Sequence, residues 1–284
     1  MQLVTLTPSP EIAPWIHHFW IFRSPLGLPT GDLRVVVPNG RHKLIVPFRN
    51  GLTAQTREQA QHNREGDAVL VGLWERPTKL SSPIADTVTI GVEFLPHGLR
   101  RFFPGIVGEL SERIVPIDDA LGRTGRELTR RVMDLETPET AAAAVDAFLV
   151  ERFRAAGGRE QHVVDATLRI LIESGFRLQV NELERRMGYS RRYLHALFLE
   201  HIGLAPKRLS GVMAFERLYR RFSQDKSAAR LRDDALDVYF DQSHFIRSFK
   251  RFTGFSPGAF AELDNEFGRI FYKGSSQTYN PDRG

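Results

Sequence analysis

The chain of 284 residues contains no cysteine. That absence removes disulfides, thiolate zinc sites and cysteine nucleophiles at once, and it agrees with a reducing compartment. Long apolar runs are missing too. No stretch reaches the roughly 18 residues that mark a membrane-spanning helix, and the opening MQLVTLTPSPEIAPW has neither the basic start nor the apolar centre of a secretory leader. The expected location is the cytoplasm, with no membrane partner. No Ser-His-Asp order, phosphate-binding glycine loop or His-Glu-x-x-His occurs, so the chain does not read as an enzyme. A β-barrel metal site of the cupin type needs a tight His-x-His and a following glutamate. The polar candidates His17, His18, His42, Glu93 and His97 form no such cluster in sequence, and neither a metal nor a cofactor is expected.

Charge is nearly balanced overall, at +5, but unevenly spread. Between Arg177 and Phe260 there are 16 Lys and Arg against 9 Asp and Glu, leaving 23 against 25 elsewhere. All the net basicity therefore sits in the C-terminal third, a bias that draws a polyanion or simply solvates a surface. With 42% hydrophobic and 26% charged residues, a chain of this length has material for two cores.

From Leu3 to about Gly105, short apolar runs such as LRVVVPNG, HKLIVPF, DAVLVGLW and TVTIGVEFLP are cut by Pro, Gly and Asn. This texture predicts a mainly β sandwich or small barrel. After PGIVGEL, helical periodicity takes over through residues 121–157, with Thr137 as N-cap before Pro138 and Gly157-Gly158 closing the segment. The reading is an α+β chain of two domains: a β-rich sensor or dimerisation domain with following helices over 1–158, an all-α domain over 159–266, and a loosely held polar tail over 267–284. Trp15, Trp20 and Trp74, with Phe19 and Phe48, fill a core or line an apolar pocket. Leu128, Val132, Leu135, Val145, Phe148, Leu149 and Phe153 either pack on the sheet or form a dimer seam.

Shifting the C-terminal region against itself by 51 residues lays GYSRRYLHALFLEHIGLAP (188–206) over YFDQSHFIRSFKRFTGFSP (239–257). Phe198 meets Phe249, Gly203 meets Gly254, Pro206 meets Pro257, Leu194 meets Phe245, and the N-cap Ser190 meets the N-cap Asp241. Each copy reads as a helix, a tight turn and a capped second helix ending at glycine, which is helix-turn-helix grammar. In the later copy Phe245, Phe249 and Phe252 follow i, i+4, i+7 as a buried stripe, while Ser243, His244, Arg247, Lys250 and Arg251 point away from it.

DQSHFIRSFKRFTGFSP, with this duplication, closely resembles the C-terminal signature of the AraC/XylS family of bacterial transcriptional regulators, over about residues 160–262. More diffusely, VVVPNGRHKLIV, VGLWERP, VEFLPHGLRRFFPG and IVPIDDALG resemble the N-terminal domain, of unsettled ligand, found in one branch of such regulators. The resemblance implies two helix-turn-helix units at about 179–203 and 230–254, joined by a connector helix at about 205–223, with recognition helices entering successive major grooves on one face of double-stranded DNA. Those grooves recur about every 34 Å. It implies DNA-binding roles for Arg191, Arg192, Tyr193 and His195 in the first unit and for Gln242, Ser243, His244, Arg247, Lys250 and Arg251 in the second. Arg192 and Ser243, then Arg247, are placed at base edges, and Lys250 and Arg251 at phosphates. His244 either donates to a phosphate or packs over Phe240. A small-molecule effector, a homodimer and RNA polymerase complete the implied partners.

The chain departs from the family pattern at three places. Tyr239 stands where a glycine ends the first helix, and Glu184 where a small residue packs between helices. Ala196, Leu199 and Glu200 take the positions of Arg247, Lys250 and Arg251, which predicts a weaker phosphate grip in the earlier copy. A ligand-sensing or adaptor protein with a degenerate helix-turn-helix domain is the rival reading. The DNA-repair methyltransferases that share this domain need a cysteine acceptor, which is absent here. Gly211, inside the connector, costs about 1 kcal/mol relative to alanine with no evident return.

Overall fold

The computed structural model describes residues 1–29, 34–156, 162–225, 239, 241–263 and 270–271. The apolar runs of the N-terminal part become short strands, in chain order β1 (Gln2–Leu6), β2 (Ile16–Ser24), β3 (Val35–Val36), β4 (Lys43–Arg49), β5 (Leu52–Gln55), β6 (Ala60–Asn63), β7 (Val69–Val71), β8 (Thr78–Ser81), β9 (Thr87–Phe94) and β10 (Ile114–Pro116). They form an antiparallel six-stranded sheet, ordered β1-β2-β9-β4-β7-β10, and an antiparallel four-stranded sheet, ordered β3-β8-β5-β6. The expected β-rich architecture is the observed one.

Nearly every residue of β2 and β9 is buried, because both faces of the central strands are covered. Phe19, Ile21, Ile90, Val92 and Phe94 join one core. Trp20 and Phe22, alternating with them, join Ile45 and Val69 in a second cluster on the opposite face. Trp20 pairs with Gly91, and a Cβ on that glycine would lie 2.1 Å from the indole ring, so the close approach of ring to strand requires glycine. One irregularity interrupts this pair of strands. Ile16 pairs with Phe94 and His18 with Glu93, which makes His17 the extra residue of a β-bulge.

Helices α1 (Leu99–Phe102), α2 (Ile117–Leu121), α3 (Arg123–Met133) and α4 (Pro138–Ala155) follow. The N–H of Thr140 donates to the Thr137 hydroxyl at 3.2 Å, and Pro138 opens α4, as the sequence predicts. Leu128, Val132, Val145, Phe148 and Leu149 are buried in the same core as Phe19 and Phe94, with Leu135 and Phe153 at its edge. The helices therefore pack on the sheet, and the residues considered for a dimer seam are spent inside the domain. Gly157-Gly158, the expected boundary, lies outside the described residues.

The C-terminal part comprises α5 (His162–Glu173), α6 (Val180–Met187), α7 (Arg191–His201), α8 (Pro206–Asp225), α9 (Gln242–Thr253) and α10 (Pro257–Glu262). The first helix expected in the second repeat falls outside the described residues. Phe215 of α8 stacks on Phe252 at 4.7 Å and meets Phe249 edge-on at 5.7 Å, so the phenylalanine stripe of α9 is core. Val35, Val37 and Leu73 of the β-rich domain belong to this same cluster. Against the two cores expected, the described residues hold three apolar clusters, and the C-terminal one reaches across the seam between domains.

Charges cross that seam as well. Arg41 pairs with Glu216 of α8 at 3.3 Å, with the side chains only 5% and 2% exposed, and Glu216 also accepts from Arg220. Arg100 and Arg101 of α1 share Asp165 of α5 at 3.0 and 3.2 Å. Phe271, in the segment expected to hang loosely, packs edge-on against Trp20 at 5.0 Å and beside Phe22 at 5.7 Å. No helix among the described residues is long and apolar enough to cross a membrane.

Two outcomes follow from this burial. Removing one member of a buried ion pair strands the other, so Glu216→Ala should lower the unfolding free energy by about 3–5 kcal/mol. The double apolar variant R41M/E216L should recover most of that loss in chemical denaturation. Burial also holds His42 neutral down to about 3 and His97 down to about 4. Their folded pKa values are depressed, so the unfolded chain takes up protons that the fold refuses. Stability should be full above about pH 6.5 and decline toward pH 4, by about 1.4 kcal/mol per pH unit for each such ring. His42→Leu should flatten the urea-measured slope by about one such increment.

Candidate nucleic-acid interface

The two repeats build matching helix ends. In the first, Leu183 of α6 and Leu194 and Phe198 of α7 are buried, and Gly188 closes α6 in the left-handed region. The N–H of Tyr193 donates to the Ser190 hydroxyl at 3.3 Å, and the N–H of Arg191 donates to the Glu184 carboxylate. Glu184, a departure from the family pattern, thus reaches from α6 to satisfy a first-turn donor of α7, where a negative charge also complements the helix dipole. In the second repeat, the N–H of His244 donates to the Asp241 carboxylate at 2.7 Å. Gly203 and Gly254, one repeat apart, both stand at φ +84°. The other departure, Tyr239, is buried, with its ring edge-on to His244 at 5.2 Å and 5.6 Å from Phe245. It packs over the start of α9, and His244 meets this ring, while Phe240 lies outside the described residues.

Arg191, Arg192, Tyr193 and His195 on α7 are all exposed, as are Gln242, Ser243, His244, Arg247, Lys250 and Arg251 on α9. The structure brings them onto two helices that both pack on α8, whose 20 residues span about 30 Å. Two further residues share this surface. Tyr189 stacks near Tyr193 at 5.0 Å, both rings more than 40% exposed, and the i, i+4 spacing was the signal for it. Ile246, 39% exposed between His244 and Arg247, is an apolar group suited to a thymine methyl. A Cβ on Gly211 would make only ordinary contact with Arg251 at 3.9 Å, so nothing in the structure requires that glycine.

The β-rich domain touches both α7 and α9. The turn Val107–Glu109 abuts α7, where a Cβ on Gly108 would lie 3.5 Å from the Leu199 carbonyl and 3.6 Å from Glu200 Cα. The contact is with the α7 backbone, and Ala196, Leu199 and Glu200, at the positions matching Arg247, Lys250 and Arg251, remain exposed. Arg251 has partners within its own chain. Its guanidinium lies over the Phe252 ring at 4.4 Å and 3.4 Å from Oε1 of Glu75, a buried carboxylate that also pairs with Arg208 of α8. In this arrangement Arg251 is turned to a carboxylate of its own chain instead of standing free for a phosphate.

A cavity of ≈130 Å³ lies inside the β-rich domain. Trp20 and Trp74 line it, whereas Phe19 and Phe48 fill the core and Trp15 lies under the Arg101 guanidinium at 4.2 Å. Its walls are mostly apolar, with Asn39, Arg41, Lys43 and Glu93 gathered along one side and Phe271 reaching it from the C-terminal segment. Burial lowers the Lys43 pKa. Burial alone would raise that of Glu93, but Lys43, His18 and Arg41 outweigh it and bring the carboxyl down to about 2.

Comparison with known proteins agrees with the C-terminal geometry. Residues 183–262 match the family described as a helix-turn-helix domain, and residues 4–116 match one described as a domain of unknown function, DUF6597. The C-terminal part thus matches a helix-turn-helix domain. Among solved structures, ToxT from Vibrio cholerae is similar at 10% identity, with 93% of this chain and 100% of that chain covered and a TM-score of 0.49. ToxT bound to (E)-4-(8-methylnaphthalen-1-yl)but-3-enoic acid gives 10% identity, 92% and 98% coverage and a TM-score of 0.48. The AraC-like transcriptional activator CuxR gives 15% identity, 78% and 87% coverage and a TM-score of 0.26. No curated protein matches the chain significantly.

Releasing Arg251 should change how the surface meets a polyanion. Glu75→Gln is expected to tighten binding to nonspecific duplex DNA and to steepen the slope of log K against log salt by about 0.9, one phosphate's worth. Fluorescence anisotropy at several salt concentrations measures both.

Proposed function

We propose that this protein is a sequence-specific, DNA-binding transcriptional regulator of the AraC type whose β-rich domain responds to a small molecule. One observation carries the reading: ten exposed polar, cationic and aromatic side chains sit on two capped helices, α7 and α9, that both pack on α8. Arg192 and Ser243 stand in the first turns, where a recognition helix meets base edges, and Arg247 follows one turn later. Lys250 lies deeper on α9 and suits a phosphate. The later unit supplies most of the sequence-independent affinity, and the earlier unit adds reading with less backbone anchoring. The rival adaptor reading rests on Glu184, Tyr239 and Glu200; Glu184 caps α7 and Tyr239 packs against the start of α9, while Glu200 has no such role among the described residues.

Regulation is supported by continuity between the cavity and the DNA-binding helices. Asn39, Gly40 and Arg41 line the cavity wall, and Arg41 is ion-paired to Glu216 in the middle of α8. A molecule filling the cavity would press on the segment that anchors the connector helix. A cavity of similar size in another protein binds benzene, so a compact apolar effector with one polar end fits the lining. A homodimer and contact with RNA polymerase belong to the same reading.

The test is binding to the region upstream of the protein's own gene in the presence of nonspecific competitor. Arg247→Ala should weaken binding across sequences and flatten the salt dependence by about 0.9 in slope. Arg192→Ala should leave that slope nearly intact and cost about 1–3 kcal/mol of discrimination at one base pair. A larger loss of salt dependence in R192A would contradict the division of labour. Absence of any specific complex would overturn the regulator reading.

A further inference from the structure

His17 and His18 are sequence neighbours, and on a regular strand their rings would point to opposite faces of the sheet. The bulge at His17 prevents this. Both rings turn to one side, where their Nδ1 atoms meet, and Glu93, the pairing partner of His18 on β9, faces them. A nitrogen of each ring and a carboxylate oxygen of Glu93 all lie within 4.8 Å of one another. All three residues are buried.

We propose that His17, His18 and Glu93 form a binding site for a single first-row divalent transition-metal ion, with its remaining coordination positions open to the cavity. Two imidazole nitrogens and one carboxylate oxygen are donors that suit Zn²⁺, Fe²⁺, Co²⁺ and Ni²⁺, and three protein ligands leave room for a water or a bound molecule. His18 and Glu93 themselves line the cavity, which supplies the open side.

Surrounding groups are arranged as an outer shell would be. Asn39 Nδ2 donates to Glu93 Oε1 at 3.1 Å, and Asn39 Oδ1 accepts from the Arg41 N–H and from Lys43 Nζ, each at 3.2 Å. The amide is therefore fixed in one orientation. The Lys43 ammonium is 3.8 Å from that same Oε1. Both contacts fall on one oxygen and neither engages Oε2. His17 Nε2 has no hydrogen-bond partner among the described residues, so no contact there explains the burial of this ring.

Lys43 is the opposing feature. Its positive charge competes with a cation for Glu93, while Arg41 is already paired with Glu216. Lys43 thus acts as a lock on the carboxylate, and removing it should favour the ion. This inference concerns the β-rich domain and does not depend on DNA binding.

The full chain, stripped with a chelator and dialysed, is titrated with Co²⁺ by visible absorption and with Zn²⁺ by calorimetry. Wild type should take up one ion per chain, with cobalt d–d bands of a nitrogen and oxygen site. Asn39→Ala should weaken affinity by about 10–100-fold, as loss of an outer-shell partner does, and His18→Gln and Glu93→Gln by at least that much. Lys43→Met should tighten binding. His62→Gln, which removes an exposed histidine on β6, should leave it unchanged. Thermal melts of each apo variant establish folding, and His17→Gln replaces any ligand variant that fails to fold. No stoichiometric uptake by wild type, or uptake retained in His18→Gln and Glu93→Gln alike, overturns the site.

Discussion

The architecture depends on the buried pairing of Arg41 with Glu216. A charge pair removed from water is tolerated only where geometry and further hydrogen bonds compensate its desolvation. Here Arg220 supplies a second donor to Glu216, and the backbone N–H of Arg41 is held by Asn39. Because the pair joins a β-domain loop to the middle of α8, the connector helix cannot shift without exposing or stranding charge. Helices α7 and α9 both pack on α8 through the C-terminal apolar cluster. Val35, Val37 and Leu73 extend the helical core across the same seam, so polar and apolar terms act on one boundary.

The second theme is reuse of one helical unit for unequal work. Both copies keep the N-cap, the buried aromatic or aliphatic stripe and the closing glycine at φ +84°. Their outer faces diverge: Ala196, Leu199 and Glu200 stand exposed on α7 where α9 carries Arg247, Lys250 and Arg251, while the turn Val107–Glu109 abuts the α7 backbone. The face of α9 is open except at Arg251, which Glu75 engages from the other domain. A carboxylate paired with an arginine competes with any phosphate for the same guanidinium. The relative position of the two domains therefore sets whether the Arg251 guanidinium is engaged by Glu75.

Much of the fold was legible along the chain. The strands at LRVVVPNG, HKLIVPF, DAVLVGLW and TVTIGVEFLP, the Thr137–Pro138 start of α4, and the connector opened by Pro206 all rest on local patterns that tertiary packing reinforced. The helices after residue 121 show the limit. Their apolar positions fit either a sheet or a second copy, since periodicity reports that a face is buried and not against what. Tyr239 and Glu184 show another limit. Each breaks a family pattern, yet each packs or caps in a way that only its neighbours in space reveal. Phe271 lies in a polar tail whose composition gives no hint that its ring reaches Trp20.

The sequence by itself determined the helix-turn-helix repeat, its caps, its phenylalanine stripe and the concentration of positive charge on it. Those features are local: a helix turn, a capping hydrogen bond and a 51-residue duplication are written in neighbouring or equally spaced residues. Only the tertiary structure decided that Glu75 would meet Arg251 and that Glu93 would meet His17 and His18. Such meetings depend on sheet register and on a single bulge that turns two successive side chains to one face. One extra residue in a strand reassigns every inward-facing group near it, and no spacing in the linear chain records that reassignment.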